Sequence, residues 1–130
     1  MNFPEKAVVA PLTQKLYQKA GREKIPLNGT FELSPVCNFA CRMCYIRKTS
    51  EEAEVHSGRM LTLEQWIALA EQAREEGMLY LLLTGGEPLV WPYFWELYEA
   101  LYGMGFLIGI NTNGSMIDEK VIEHWKERPP

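Results

Sequence analysis

Hydrophobic residues recur along this chain with two different rhythms. Leu63, Trp66, Ile67, Ala70 and Ala73 return at helical spacing. Thr62 stands before them as an N-cap, Gln65 completes a capping box, and Gly77 supplies the stop. Leu79-Tyr80-Leu81-Leu82-Leu83-Thr84 follows with no polar alternation, the pattern of a strand apolar on both faces. Gly85-Gly86-Glu87-Pro88 makes a tight loop. Pro92 opens a second helix carrying Tyr93, Phe94, Leu97, Leu101 and Tyr102, broken at Gly103-Met104-Gly105. Phe106 to Asn111 reads as another strand, Thr112-Asn113-Gly114-Ser115 as its exit loop. A last helix begins near Asp118, with Val121, Ile122 and Trp125 on its apolar face, before Pro129 and Pro130.

The N-terminal part is plainer. Pro11 suits the first turn of a helix with Leu12, Leu16 and Ala20 along one face and Gly21 closing it. Pro26-Leu27-Asn28-Gly29 reads as a turn. Thr30 to Leu33 alternates as a short strand, ended by Ser34 and Pro35. The order is thus strand-loop-helix, three times. Such an order predicts an α/β fold with right-handed crossovers and a parallel sheet covered by helices. Residues 1–29 form a lead-in with one short helix; 30–130 hold three βα units. Chemistry in parallel sheets collects at the C-terminal strand ends. The loops at Cys37–Cys44, Gly85–Pro88 and Asn111–Ser115 all fall there, so they are expected to converge.

Composition narrows the picture. Of 130 residues, 47% are hydrophobic and 23% charged, as in an ordinary globular domain. No apolar run approaches the ~18 residues of a membrane span. The N-terminus lacks the basic start and apolar core of a signal peptide, so a cytoplasmic location is expected. The net charge is −4 with no basic run, which argues against nucleic acid as partner. Glu51-Glu52-Ala53-Glu54 reads as a solvated loop. The length is about half of the ~250 residues that a complete eight-fold barrel takes.

All three cysteines lie in one segment, Cys37-Asn38-Phe39-Ala40-Cys41-Arg42-Met43-Cys44, a C-x3-C-x2-C spacing. An odd number in a cytosolic chain argues for metal or redox chemistry over disulfides. Simple core packing is one reading, since free cysteines bury well. A zinc site is another, with His56 as fourth ligand; His56 and His124 otherwise read as exposed. An iron–sulfur cube usually takes four thiolates. Three would leave one iron open to a chelating ligand.

This loop resembles the cluster motif of the radical S-adenosylmethionine (radical SAM) enzymes. Thr84-Gly85-Gly86-Glu87-Pro88 resembles that family's GGEP motif, and Asn111-Thr112-Asn113-Gly114 resembles its loop after the third strand. The likeness runs from about Thr30 to the end, and the lead into the cysteines looks closest to the SPASM-type branch, many of whose members modify peptides or proteins. The resemblance implies a 4Fe-4S cluster on Cys37, Cys41 and Cys44, its fourth iron chelated by S-adenosylmethionine. Cleavage of that cofactor would then yield methionine and a 5′-deoxyadenosyl radical that abstracts hydrogen from a substrate such as a peptide or protein. A reductant such as ferredoxin or flavodoxin is implied. Gly85, Gly86 and Glu87 are expected at the methionine end, Glu87 accepting from its ammonium, with Pro88 rigidifying the turn. Asn113 either contacts the cofactor or stabilises its own turn, and Gly109 permits close approach or merely packing. Met43 stands where many members carry an aromatic residue near the adenine, and Tyr45 just after it. Trp91, Tyr93, Phe94 and Trp95 read as packing at a helix start. The family core is a partial (β/α)6 TIM-like barrel, so three units make its first half, expected to be poorly active alone. A non-catalytic iron–sulfur electron-transfer protein and a zinc-stabilised binding module are the competing readings.

Overall fold

The computed structural model describes residues 11–46 and 60–130. His56 and the Glu51–Glu54 run lie outside the described residues. The chain runs α1 (Pro11–Glu23), β1 (Asn28–Glu32), α2 (Leu63–Glu75), β2 (Tyr80–Thr84), α3 (Phe94–Gly103), β3 (Leu107–Ile110) and α4 (Glu119–Glu127). A single turn of 3-10 helix, Pro88–Val90, lies between β2 and α3. The strands form one parallel sheet in the order β1-β2-β3. This is the expected α/β fold.

Helices cover one face of the sheet. Phe31, Leu33, Leu81, Leu83 and Ile108 point into a core shared with Trp66 and Ala70 of α2 and with Phe94, Leu97, Tyr98 and Leu101 of α3. Burying each large apolar side chain contributes roughly 1.5–3 kcal/mol. The opposite face aligns Thr30, Leu82 and Gly109 in register, and these residues are not in that core. On that opposite face Tyr17 of α1 stacks on Tyr80, with ring centroids 6.5 Å apart. Tyr80, Leu82 and Thr84 remain half-buried. An apolar inner layer is what a sheet curving towards a barrel needs. Gly109 belongs to that layer, and a Cβ there would stand 3.3 Å from the Leu82 side chain. Trp91 and Phe94 are buried in the core and Trp95 packs against it, while Tyr93 is half exposed.

The capping box is present in full: the Thr62 side chain accepts from Gln65 N–H, and the Gln65 side chain accepts from Thr62 N–H. Gly77 has φ +93°, the left-handed stop expected there. Other local expectations shift. Gly21 does not end α1; it faces open space, and the helix runs on until Lys24 takes φ 56°. Asn28 and Gly29 are not a turn, because pairing with Tyr80 and Leu81 draws both into β1. Helix α3 starts at Phe94 and persists through Gly103. Asp118 caps α4 by accepting from Val121 N–H at 2.9 Å. Val121 is buried, but Ile122 is 45% exposed.

His124 is not the free surface residue its sequence suggests. It is half-buried, its Nε2 2.6 Å from Glu99 Oε1 and its ring edge-on to Trp95. Arg128 takes the other Glu99 oxygen at 3.2 Å, so α4 is fastened to α3. Tyr98 completes this join, its hydroxyl donating to Arg128 O at 2.7 Å. Burial first, then Tyr102 and Glu99, push its pKa up to about 12. A raised phenol pKa means the folded state keeps a proton that the unfolded chain loses near pH 10. Stability should therefore hold up to about pH 10 and fall between 10 and 12. Denaturant unfolding across that range checks this, with Tyr98→Phe expected to flatten the slope. Among the described residues no helix is long and apolar enough to cross a membrane.

Candidate functional site

The site is built where β1 leaves the sheet. Leu33 N–H still donates to Thr84 O at 2.9 Å, extending the ladder one step. Beyond it the chain continues against the glycine loop: Gly86 N–H donates to Ser34 O at 2.8 Å and Glu87 N–H to Val36 O at 2.9 Å. This contact leaves no room for side chains. A Cβ on Gly85, whose φ is +149°, would lie 2.4 Å from Ser34 O; one on Gly86 would lie 2.3 Å from Val36 O. The glycine pair thus admits a close approach, as expected, but of the chain's own backbone leading into Cys37.

Glu87 is turned inward, against the expectation that it faces a ligand. It is 1% exposed. Its Oε1 accepts from Leu89 N–H at 3.0 Å and from the Thr112 hydroxyl at 2.8 Å; its Oε2 accepts from Asn113 N–H at 2.8 Å. A buried carboxylate is stable only when its lone pairs are satisfied, and three donors here do so. The side chain therefore clamps the β3 exit loop to the β2 exit loop. Pro88 is equally buried and opens the 3-10 turn behind it.

Asn113 takes the turn-stabilising role, one of the two that the sequence allowed, and also reaches the cysteine loop. Its Oδ1 accepts from Ser115 N–H at 2.9 Å, stabilising its turn, where Gly114 takes φ +77°. Its Nδ2 reaches across to the cysteine loop, donating to Asn38 Oδ1 at 2.9 Å and lying 3.9 Å from Cys37 Sγ. Cys37 Sγ also receives Phe39 N–H at 3.4 Å. Cys37 is half-buried; Cys41 and Cys44 are exposed and share a turn, Cys44 N–H donating to Cys41 O at 3.2 Å. Among the described residues, no three His, Cys, Asp or Glu side chains stand close enough together to grip a single metal ion.

Beside this loop lies an open cleft of about 490 Å³. Met43, Cys44, Tyr45, Gly85, Gly86 and Asn113 line it, whereas Glu87 and Pro88 do not. Met43 and Tyr45 project almost fully into solvent. A larger hollow, about 710 Å³, sits at the other end of the strands by Asn28, Tyr80 and Leu107, with no cysteine, histidine, aspartate or glutamate among the described residues that line it. The chemistry-bearing residues thus meet at the C-terminal strand ends, as the topology demands. Three free thiols on one loop, with N–H donors aimed at the first, suit a thiolate-held iron–sulfur group. Sequence reasoning did not single out Asn38, Thr112 or Ser115. Their partners are 25 or more residues away except within the turn itself, so no local spacing marks them.

Residues 31–130 match the sequence profile of the Radical SAM superfamily. The chain belongs to the radical SAM superfamily. It is 28% identical over 99 residues to the antilisterial bacteriocin subtilosin biosynthesis protein AlbA of Bacillus subtilis (strain 168), covering 76% of this chain and 21% of that protein. It is 29% identical over 100 residues to an S-adenosylmethionine-dependent nucleotide dehydratase of Flammeovirga pacifica, covering 77% and 34%. Among solved structures, Streptococcus suis SuiB bound to precursor peptide SuiA superposes with a TM-score of 0.63 at 22% identity, over 95% of this chain and 28% of that one. That likeness shows the fold. This radical SAM chain spans about a fifth to a third of the length of these relatives.

Proposed function

We propose that this chain is the first half of the core of a radical SAM enzyme that acts on a peptide or protein. The observation that carries the reading is the meeting of the cysteine loop, the Gly85-Gly86 loop and Asn113 around one cleft, in a chain of this superfamily. Cys37, Cys41 and Cys44 would hold a 4Fe-4S cluster. S-adenosylmethionine would occupy the cleft, its methionine end beside Gly85 and Gly86 and its adenine towards Met43 and Tyr45. When bound, the cluster would supply one electron, drawn from a reductant such as ferredoxin or flavodoxin, to split S-adenosylmethionine into methionine and a hydrogen-abstracting 5′-deoxyadenosyl radical.

The chain's own contribution is position. The glycine contact fixes where Cys37 leaves the sheet. Glu87 fixes the height of the β3 exit loop from behind and is a positioning residue in this reading. Asn113, held by Glu87 through its backbone, faces both the cleft and Cys37. Support for a peptide comes from the SPASM-like lead into the cysteines, from the relative named for bacteriocin biosynthesis, and from the precursor peptide bound to SuiB.

Anaerobic loading with iron and sulfide, followed by electron paramagnetic resonance of the reduced protein, tests this. The signal of a 4Fe-4S cluster should appear and change on adding S-adenosylmethionine. A cluster signal indifferent to saturating cofactor supports an electron carrier instead, and stoichiometric zinc without iron supports a zinc-stabilised module. Release of 5′-deoxyadenosine by the whole protein, stimulated by a peptide and not by a nucleotide, supports the substrate class; the reverse overturns it.

A further inference from the structure

We propose that Asn113 is a positioning residue for Cys37, acting through a closed ring of side-chain hydrogen bonds that joins the β3 exit loop to the cysteine loop. The inference rests on the reading of Cys37 as a cluster ligand.

The ring has three members. Asn113 Nδ2 donates to Asn38 Oδ1 at 2.9 Å, Asn38 Nδ2 donates to Ser115 Oγ at 2.9 Å, and Ser115 Oγ donates to Asn113 Oδ1 at 2.6 Å. Amide orientation in such a ring has to be argued from partners. Here one backbone group decides it. Ser115 N–H can only donate, and it points at the Asn113 side chain at 2.9 Å, so that atom is the oxygen. The Asn113 NH2 is then the end facing Asn38 and Cys37. Asn38 must present its oxygen to it, leaving its own NH2 for Ser115, whose hydroxyl proton returns to Asn113. Every donor direction follows from the first.

An NH2 group has two protons. Asn38 takes one, and the second is left on the side where Cys37 Sγ lies at 3.9 Å. Asn113 is itself well anchored, its backbone N–H bound to the buried Glu87. A donor so fixed stabilises charge on the sulfur, and hydrogen bonds to ligand sulfurs are among the terms that set a cluster's reduction potential. Removing the donor should make the cluster harder to reduce.

The test is an anaerobic redox titration of the loaded full chain, followed by electron paramagnetic resonance without S-adenosylmethionine. The midpoint potential should fall in the order wild type, Asn113→Ala, Asn113→Asp. Aspartate keeps the acceptor for Ser115 but puts an anionic oxygen where the NH2 was. A purely structural role predicts a different order, with aspartate nearest to wild type. That order, or potentials that do not move, overturns the inference while leaving the cluster reading intact. A wild-type chain that takes up no cluster overturns the cluster reading, and this inference with it. If neither Asn113 variant retains a cluster, Ser115→Ala is titrated, where a smaller fall is expected and an unchanged value counts against the ring. Loss of the cluster from all three variants with wild-type circular dichroism supports the proposal; loss of the fold in all three overturns it.

Discussion

Replacing Gly86 by alanine should cost about 3 kcal/mol of stability or more, lowering Tm by roughly 10 °C in a domain of this size. The reason is local. The new Cβ would lie 2.3 Å from Val36 O, 2.6 Å from Val36 C and 2.7 Å from Pro35 O, all backbone atoms. A flexible side chain could swing aside; this backbone is held. Val36 O accepts from Glu87 N–H at 2.9 Å, Val36 N–H donates to Ser34 Oγ at 3.1 Å, and Gly86 N–H donates to Ser34 O at 2.8 Å. Relief requires pushing the segment that leads into Cys37 away from β2 and breaking those bonds. Under the cluster reading proposed above, iron uptake should therefore fall together with stability. Gly21→Ala is the control: it lies inside α1 with nothing within 4 Å, so it should stabilise by about 0.5–1 kcal/mol. Thermal unfolding of both variants measures the contrast. Equal melting of Gly86→Ala and wild type would overturn the packing argument.

That contrast also shows what a sequence alone can reveal here. The elements were legible because their causes are local. Thr62 and Gln65 lie three residues apart and cap α2 as their spacing implies, and Asp118 caps α4 likewise. The β2 run could be read as a strand, and the order of strands and helices predicted one parallel sheet and one loop-bearing end. The meeting of the cysteine loop, the Gly85-Gly86 loop and the Asn113 loop was accessible in the same way from the order of strands and loops, whereas the inward turn of Glu87 and Pro88 was not. Other features depend on contacts across the fold. The same glycine type ends a helix at Gly77, is tolerated within one at Gly21, and clears a path for another strand's exit at Gly86. Only the neighbours distinguish these cases. Asn28-Gly29 has turn chemistry, yet pairing with β2 outweighs it. The conformational preference of a dipeptide is worth less than a row of ladder bonds. His124 likewise looks like surface until α3 brings Glu99 and Trp95 against it.

Glu87 carries the second large expected effect, and it separates clamp from ligand contact. Glu87→Ala should cost about 3 kcal/mol or more, because three donors lose their shared acceptor at once. Two effects oppose each other in this substitution. Removing the carboxylate relieves the cost of burying a charge. It also leaves Leu89 N–H, Asn113 N–H and the Thr112 hydroxyl without an acceptor, at roughly 1–3 kcal/mol each. Three orphaned donors at a site only 1% exposed outweigh the relief. Glu87→Gln should fall between, because an amide keeps one oxygen but turns NH2 towards either Asn113 N–H or the Leu89 and Thr112 pair. Thermal unfolding gives the size of the effect. Hydrogen exchange gives its location, with Asn113 N–H expected to lose protection most. A side chain whose purpose was only to receive a ligand's ammonium would leave both readouts unchanged while weakening ligand binding. Loosening of the Asn113 loop in protein free of S-adenosylmethionine is thus the result that identifies Glu87 as the strut behind the cleft.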